Sequence, residues 1–239
     1  MIKLLAIDAD DTLWDCQSHF VRVEQEYCRM LADYADKLTV SKELFKVETA
    51  NMAELGYGCK AFTLSLVENA VKISQGRIPA SLLLQIQDLG RSLLRLPATP
   101  LPEVRETLQI LSNNRTLPPL GGIGEGLRVV VFTKGEIDDQ LHKLERSGLA
   151  PLFDDCVVVA DKTKEEYLRL AQRYGADIDE MLSVGNSFKS DVEPVLQLGG
   201  YAVHIPFEHL WAHERTEEYE HPRLRVISHF GELSEMEWR

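Results

Sequence analysis

Six side chains, scattered along the chain but each just past a short apolar run, could do chemistry together. Asp8 and Asp10 follow the run Ile2 to Ile7, Thr133 closes VVVFT, Lys162 follows CVVVAD, and Asn186 and Asp191 follow SVG. Two acids one residue apart on a loop leaving a strand can divide labour, one carboxylate as nucleophile and the other as proton donor. Their charges push the two pKa values apart unless a cation intervenes. A divalent metal would relieve that repulsion, and Asp191 and the amide oxygen of Asn186 are hard oxygen ligands of the kind Mg2+ takes. Lys162 brings a point positive charge suited to transferring phosphoryl oxygens. Thr133, with the backbone amides of Lys134 and Gly135 at a helix start, brings neutral donors. The set suits phosphoryl transfer through an aspartyl phosphate.

Groups so far apart in sequence meet only if the apolar runs lie side by side. Ile2 to Ile7 reads as a buried strand, and Arg128 to Phe132, Cys156 to Ala160, Met181 to Val184 and Tyr201 to Ile205 as four more. Helical patterns follow the second, third and fourth: Ile137, Leu141 and Leu144 between Glu136 and Gly148; Tyr167, Leu168 and Leu170 between Glu165 and Tyr174; and Val192 to Leu198. Alternation of this kind predicts a parallel α/β sheet covered by helices on both faces, a three-layer Rossmann-like core. In such a sheet the loops beyond the carboxyl ends of the strands converge, which is where all six side chains fall.

From Trp14 to about Pro97 no strand is predicted. Phe20, Val23, Tyr27, Leu31 and Tyr34 form one helical stripe, Phe62, Leu66, Ala70 and Ile73 a second, and Leu82, Ile86, Leu89 and Leu93 a third, opened by Pro79. This is an all-helical insert, giving a core of residues 1–14 and 98–239 and a helical cap of residues 15–97. Asp8 and Thr133 stand 125 residues apart, Thr133 and Lys162 only 29, so the room for a cap lies between the first two. Pro102 could open a helix running to about Ser112. The turn-rich SNNRTLPPLGGIGEG follows; its glycines precede a strand, whereas a dinucleotide fingerprint follows one.

The 239 residues suffice for a sizeable core without a disulfide or metal staple, and 44% apolar and 27% charged residues argue against disorder. A formal charge of -12 disfavours nucleic acid as a primary partner. Cys16, Cys28, Cys59 and Cys156 lack paired spacing and read as free thiols. His209 and His213 are four apart, but in an acidic tail with no other metal-ligand spacing. The short opening run is no signal peptide, and no run approaches the ~20 apolar residues of a membrane span, so a cytoplasmic protein without membrane association is expected.

The ordered motifs resemble those of the haloacid dehalogenase-like (HAD) hydrolase superfamily, in particular its phosphatase branch with a helical cap between the first and second motifs. LLAIDADDT matches the first motif, with Asp8, Asp10 and Thr12 in place; VVVFTKG the second, ADKTKEEY the third and SVGNSFKSD the fourth. The resemblance implies that Asp8 attacks phosphorus, and that Asp10 protonates the leaving alcohol and then activates water. It implies that Thr133 holds a phosphoryl oxygen and that Lys162 steadies Asp8. Mg2+ would be held by Asp8, the main-chain carbonyl of Asp10 and the fourth motif, through Asn186, Asp191 or both. Lys162 is preferred to Lys164 because it is nearer the strand end. Asn186 departs from the family, which usually has Asp there, and an amide brings no charge to the metal.

Thr133, Lys134, Gly135 and Trp14 are the expected substrate contacts, Trp14 with a packed hinge as its alternative. The implied activity is a Mg2+-dependent phosphomonoesterase acting on a small phosphorylated metabolite, as a monomer or homodimer. A 2-haloacid dehalogenase would use the same aspartate but lacks the second acid, a phosphomutase keeps the same residues, and a retired domain would serve as a binding or regulatory module.

Overall fold

The computed structural model describes residues 1–114 and 123–236. The chain divides into two compact units: Met1–Gln17 with Ala98–Arg239, and Ser18–Pro97. In the first, six strands form one sheet: β1 (Ile2–Ile7), β2 (Ile123–Lys134), β3 (Asp155–Val159), β4 (Met181–Gly185), β5 (Tyr201–His204) and β6 (Leu224–Val226). They lie in the order β3-β2-β1-β4-β5-β6, and every pairing is parallel. The order reverses at β1, so its carboxyl end opens on the crevice where such sheets gather their chemistry. β6 was not expected; only Leu224 of its three residues is buried, too little to show as a pattern.

Strand side chains alternate between faces, and β1 divides accordingly. Leu5 and Ile7 join one core with Val129, Val131, Val184, Val203 and Leu108; Leu4 and Ala6 join the other with Val130, Phe132, Tyr167, Val195 and Ala202. Among the described residues its α-helices are α5 (Val104–Asn114), α6 (Ile137–Ser147), α7 (Lys164–Arg173) and α8 (Glu193–Leu198). Thr163 caps α7 by accepting from the Glu166 N–H, and left-handed Gly148 and Gly199 end α6 and α8. α5 starts two residues after Pro102, and much of the turn-rich segment beyond it lies outside the described residues.

α6 forms where its apolar recurrence placed a helix, but of those residues only Leu144 is buried; Ile137 is 61% exposed and Leu141 43%. The face turned inward carries Asp139, Gln140, Lys143 and Ser147. Helical period alone cannot say which face meets the sheet, and polar partners at the strand ends have claimed this one.

The second unit is helical. It holds α1 (Gln17–Met30), α2 (Lys37–Leu55), α3 (Cys59–Ile73), α4 (Ala80–Arg91) and a 3-10 turn, Ser92–Arg95. Val23, Tyr27, Leu31, Val40, Leu44, Leu66, Ala70 and Ile86 form its interior. Tyr27 donates its hydroxyl to the Leu66 carbonyl at 2.9 Å and accepts from Asn69 at 2.9 Å. Gly90 lets α4 lie against α3, since a Cβ there would strike Thr63.

Candidate active site

The Asp8 N–H donates to the Val184 carbonyl at 2.9 Å, so the exit of β1 is tied to the end of β4. The chain then turns sharply. The Leu13 N–H returns to the Ala9 carbonyl, and Asp11 adopts a left-handed φ of 65°. Aspartate tolerates that region better than most residues. Its carboxylate also accepts the Cys16 and Gln17 N–H groups at 2.8 Å each. Burial nevertheless pushes the Asp11 carboxyl up to about 7.

This turn leaves Asp8 and Asp10 in different surroundings. Asp8 Oδ1 accepts from Lys162 Nζ at 2.5 Å, and Oδ2 lies 3.1 Å from the Thr12 hydroxyl. The same ammonium donates to Asp191 Oδ1 at 2.6 Å. Two buried carboxylates thus share one buried lysine. Burial pushes the Asp8 carboxyl up to about 7, with the Lys162 charge opposing and Asp191 reinforcing the shift. Lys162 is held charged: burial works against it, but Asp191 and Asp8 prevail.

Asp191 reaches that position through a π-helical turn, Phe188–Val192, inserted before α8. Its Oδ2 accepts the Ser187 N–H at 2.9 Å, so each of its oxygens already has a donor. Gly185 makes room, because a Cβ there would collide with the Asp191 carboxylate. Asn186 lies against the opposite loop: its N–H donates to Thr12 Oγ1 at 3.0 Å and its Oδ1 is 3.3 Å from the same hydroxyl. His204 Nε2 stands 3.0 Å from the Asn186 carbonyl oxygen and therefore carries a proton there.

Register places Asp8 level with Phe132, since Ile7 pairs Val131, and Thr133 one position beyond. Thr133 is buried, its hydroxyl 3.4 Å from the Lys134 carbonyl oxygen. Lys134 turns toward β4's loop, where its ammonium meets Ser190 Oγ at 2.9 Å and Glu214. Glu214 also accepts from Ser187 and from Ser190, the latter at 2.5 Å. Burial would raise the Glu214 carboxyl, but the Lys134 charge and these hydrogen bonds lower it to about 2. Gly135 has a φ of 128°, a conformation open to glycine.

Asp10 is saturated. Its Oδ1 accepts from Trp14 Nε1 at 2.7 Å and Lys143 at 2.8 Å; its Oδ2 accepts from Lys143 at 2.7 Å and Gln140 at 2.8 Å. Burial alone would raise this carboxyl, yet the Lys143 charge and the three donors hold it below the usual range.

The structure thus brings together Asp8, Lys162 and Asp191, with Thr12 and Asn186 beside them, and Asp10 two residues on. Trp14 differs from its expectation as a substrate contact. It is fully buried among core residues and its indole N–H serves Asp10. Lys134 is engaged by Glu214 and Ser190. Lys162 rather than Lys164 meets Asp8; Lys164 opens α7. Gln140, Lys143, Ser187, Ser190 and Glu214 were not anticipated. A lysine within a helix and a glutamate in an acidic tail ordinarily meet solvent, so composition and spacing gave no signal for them.

A sequence profile described as haloacid dehalogenase-like hydrolase matches residues 2–199. The chain belongs to the haloacid dehalogenase-like hydrolases. Over 217 residues it is 26% identical to a glyceraldehyde 3-phosphate phosphatase of Methanocaldococcus jannaschii, covering 86% of this chain and 85% of that one. A haloacid dehalogenase-like family hydrolase from Xanthomonas campestris superposes with a TM-score of 0.85 at 30% identity, over 98% of this chain and 89% of the other. The L-2-haloacid dehalogenase of Xanthobacter autotrophicus, solved with chloropropionic acid covalently bound, shares the fold at a TM-score of 0.62 and 18% identity, over 98% of both chains. This HAD-like protein is a hydrolase. Among the described residues no helix is long and apolar enough to cross a membrane.

Proposed function

We propose that this hydrolase is a phosphomonoesterase working through an aspartyl phosphate on Asp8. The observation that carries the reading is the buried Asp8–Lys162–Asp191 arrangement with a second acid, Asp10, two residues on. Asp8 attacks phosphorus as the ester oxygen leaves, and Asp10, ionised in the free protein, takes up a proton from solvent as the anionic substrate binds and gives it to that oxygen. Asp10, now a base, takes a proton from water, whose oxygen attacks the phosphorus and frees Asp8 with inorganic phosphate. Lys162 opposes the neutralisation of Asp8 by burial and faces the transferring charge, while Thr133 offers its hydroxyl at the end of β2, where the Gly135 N–H is already given to the Val159 carbonyl at 3.3 Å.

The donor chemistry fits Mg2+. Two carboxylates against one ammonium leave a buried negative charge, and the raised Asp8 carboxyl is what a cation at that place would lower again. Among the described residues no three His, Cys, Asp or Glu side chains converge as a metal group. The ion would be held in magnesium's usual manner, by Asp8 with the Asp10 carbonyl, Asn186 and waters. Asn186 is preferred to Asp191, whose oxygens already serve Lys162 and Ser187. Bound there, Mg2+ would neutralise charge on the phosphoryl group.

The substrate is proposed to be a small phosphorylated metabolite. The archaeal phosphatase above makes glyceraldehyde 3-phosphate the first compound to try. The helical unit is proposed as the cap domain. Phosphate release is measured across a panel containing that compound, other phosphorylated metabolites and 4-nitrophenyl phosphate, with Mg2+ or chelator, on wild type and Asp8→Asn. Release that requires both the metal and Asp8 is expected. Halide release from 2-haloacids without Mg2+, or phosphate release unchanged in Asp8→Asn, would overturn the proposal.

A further inference from the structure

Lys143 is buried, 2% exposed, on a helix whose apolar residues Ile137 and Leu141 face outward instead. Burying an ammonium while exposing isoleucine and leucine runs against the hydrophobic effect, so something else fixes the rotation of α6. The polar face delivers two groups to one carboxylate. Lys143 Nζ sits 2.8 and 2.7 Å from the two oxygens of Asp10, and Gln140 Nε2 donates to Oδ2 at 2.8 Å. Asp139, 3.6 Å from Lys143 on the same helix, supplies a second counter-charge.

Gln140 makes a matching sacrifice. Its Nε2 also donates to the Lys134 carbonyl at 2.8 Å, bridging the loop after β2 to Asp10. Its Oε1 is buried and has no hydrogen-bond partner among the described residues. Reversing the amide would aim an acceptor at two acceptors, so the bridge dictates the orientation. Gly135 leaves space for it: a Cβ there would stand 3.1 Å from Gln140 Nε2.

We propose that Lys143, assisted by Gln140, is the positioning residue of Asp10, fixing the orientation of its carboxyl group for proton transfer to the leaving oxygen. This rests on the phosphatase reading. The role is distinct from those of Lys162 and Thr133, since Lys143 meets Asp10 rather than the nucleophile. Its loss should be felt by substrates whose leaving oxygen needs a proton.

Single-turnover release of the leaving group, with enzyme in excess and Mg2+ present, reads the first chemical step. The substrates are 4-nitrophenyl phosphate, whose phenolate leaves unprotonated, and the alkyl phosphate the wild type turns over fastest in the panel above. In Lys143→Met and Gln140→Leu the alkyl rate is expected to fall by ~100-fold or more and the aryl rate by less than ~10-fold. Lys143→Arg should recover part of the alkyl rate, with KM little changed. Gln140→Leu leaves the buried ion pair intact, so it carries the test if Lys143→Met does not fold.

Equal losses on both substrates, or no loss in either variant, with the wild type active, would overturn the positioning role and leave the phosphatase reading standing. A wild type that releases neither leaving group, like Asp8→Asn, would overturn both.

Discussion

At Asp8 the local electrostatics are finely balanced. Lys162 is the shared counter-charge of Asp8 and Asp191, and a buried ion pair is costly to break because the partner left behind stays desolvated. Lys162→Met leaves two buried carboxylates facing each other. It should lower stability by about 3–5 kcal/mol and abolish most phosphate release. Adding Asp191→Asn removes one of those charges and should restore part of the lost stability without restoring activity. Thermal unfolding of the single and double variants checks this; a double variant less stable than Lys162→Met would contradict it.

Among the elements, the turn Gly185 to Val192 does the most with the fewest residues. A π-helical turn is a poor packing solution in itself and is found mainly where a side chain must be aimed. Here it points Asp191 back over Gly185 toward Lys162. Gly185→Ala should therefore push Asp191 off Lys162, destabilise the fold by about 1–3 kcal/mol and reduce turnover. Gly126→Ala is the control for a glycine with nothing nearby but a positive φ. Denaturant melts and phosphate-release assays on both separate the two, with activity expected to fall in Gly185→Ala alone.

For the molecule as a whole, acids of opposite tendency shape the response to pH. Glu214, held at about 2, contributes stability fully present above its ordinary range near 4.5 and lost as pH falls toward 2. Glu48 on α2 is pushed the other way, to about 8, by burial and by the neighbouring Glu24 charge. Its unfolded form ionises first, so it erodes stability as pH rises from about 4.5 to 8. Glu48→Gln should raise the Tm at pH 8 and leave it nearly unchanged at pH 4. Glu214→Gln should lower the Tm at pH 7 and matter little near pH 2. Melting curves across pH 2 to 9 decide both; a Glu48→Gln benefit confined to acid would refute the first.

The apolar runs before Asp8, Thr133, Asp161 and Asn186 determined the parallel sheet by themselves, because strand burial is written in consecutive residues. A sheet of that kind brings its strand ends together, so the meeting of Asp8, Lys162 and Asp191 was legible in the sequence. Three-dimensional packing decided the rest. The rotation of α6, which buries Lys143 and Gln140 and exposes Ile137, has the same helical period either way. Trp14 went to the core and to Asp10, a choice its sequence position left open. Glu214 is 80 residues from Lys134 and reaches it through an irregular tail with no periodicity to read. Short-range patterns encode which residues are buried; which buried polar groups find one another depends on closure of the whole sheet.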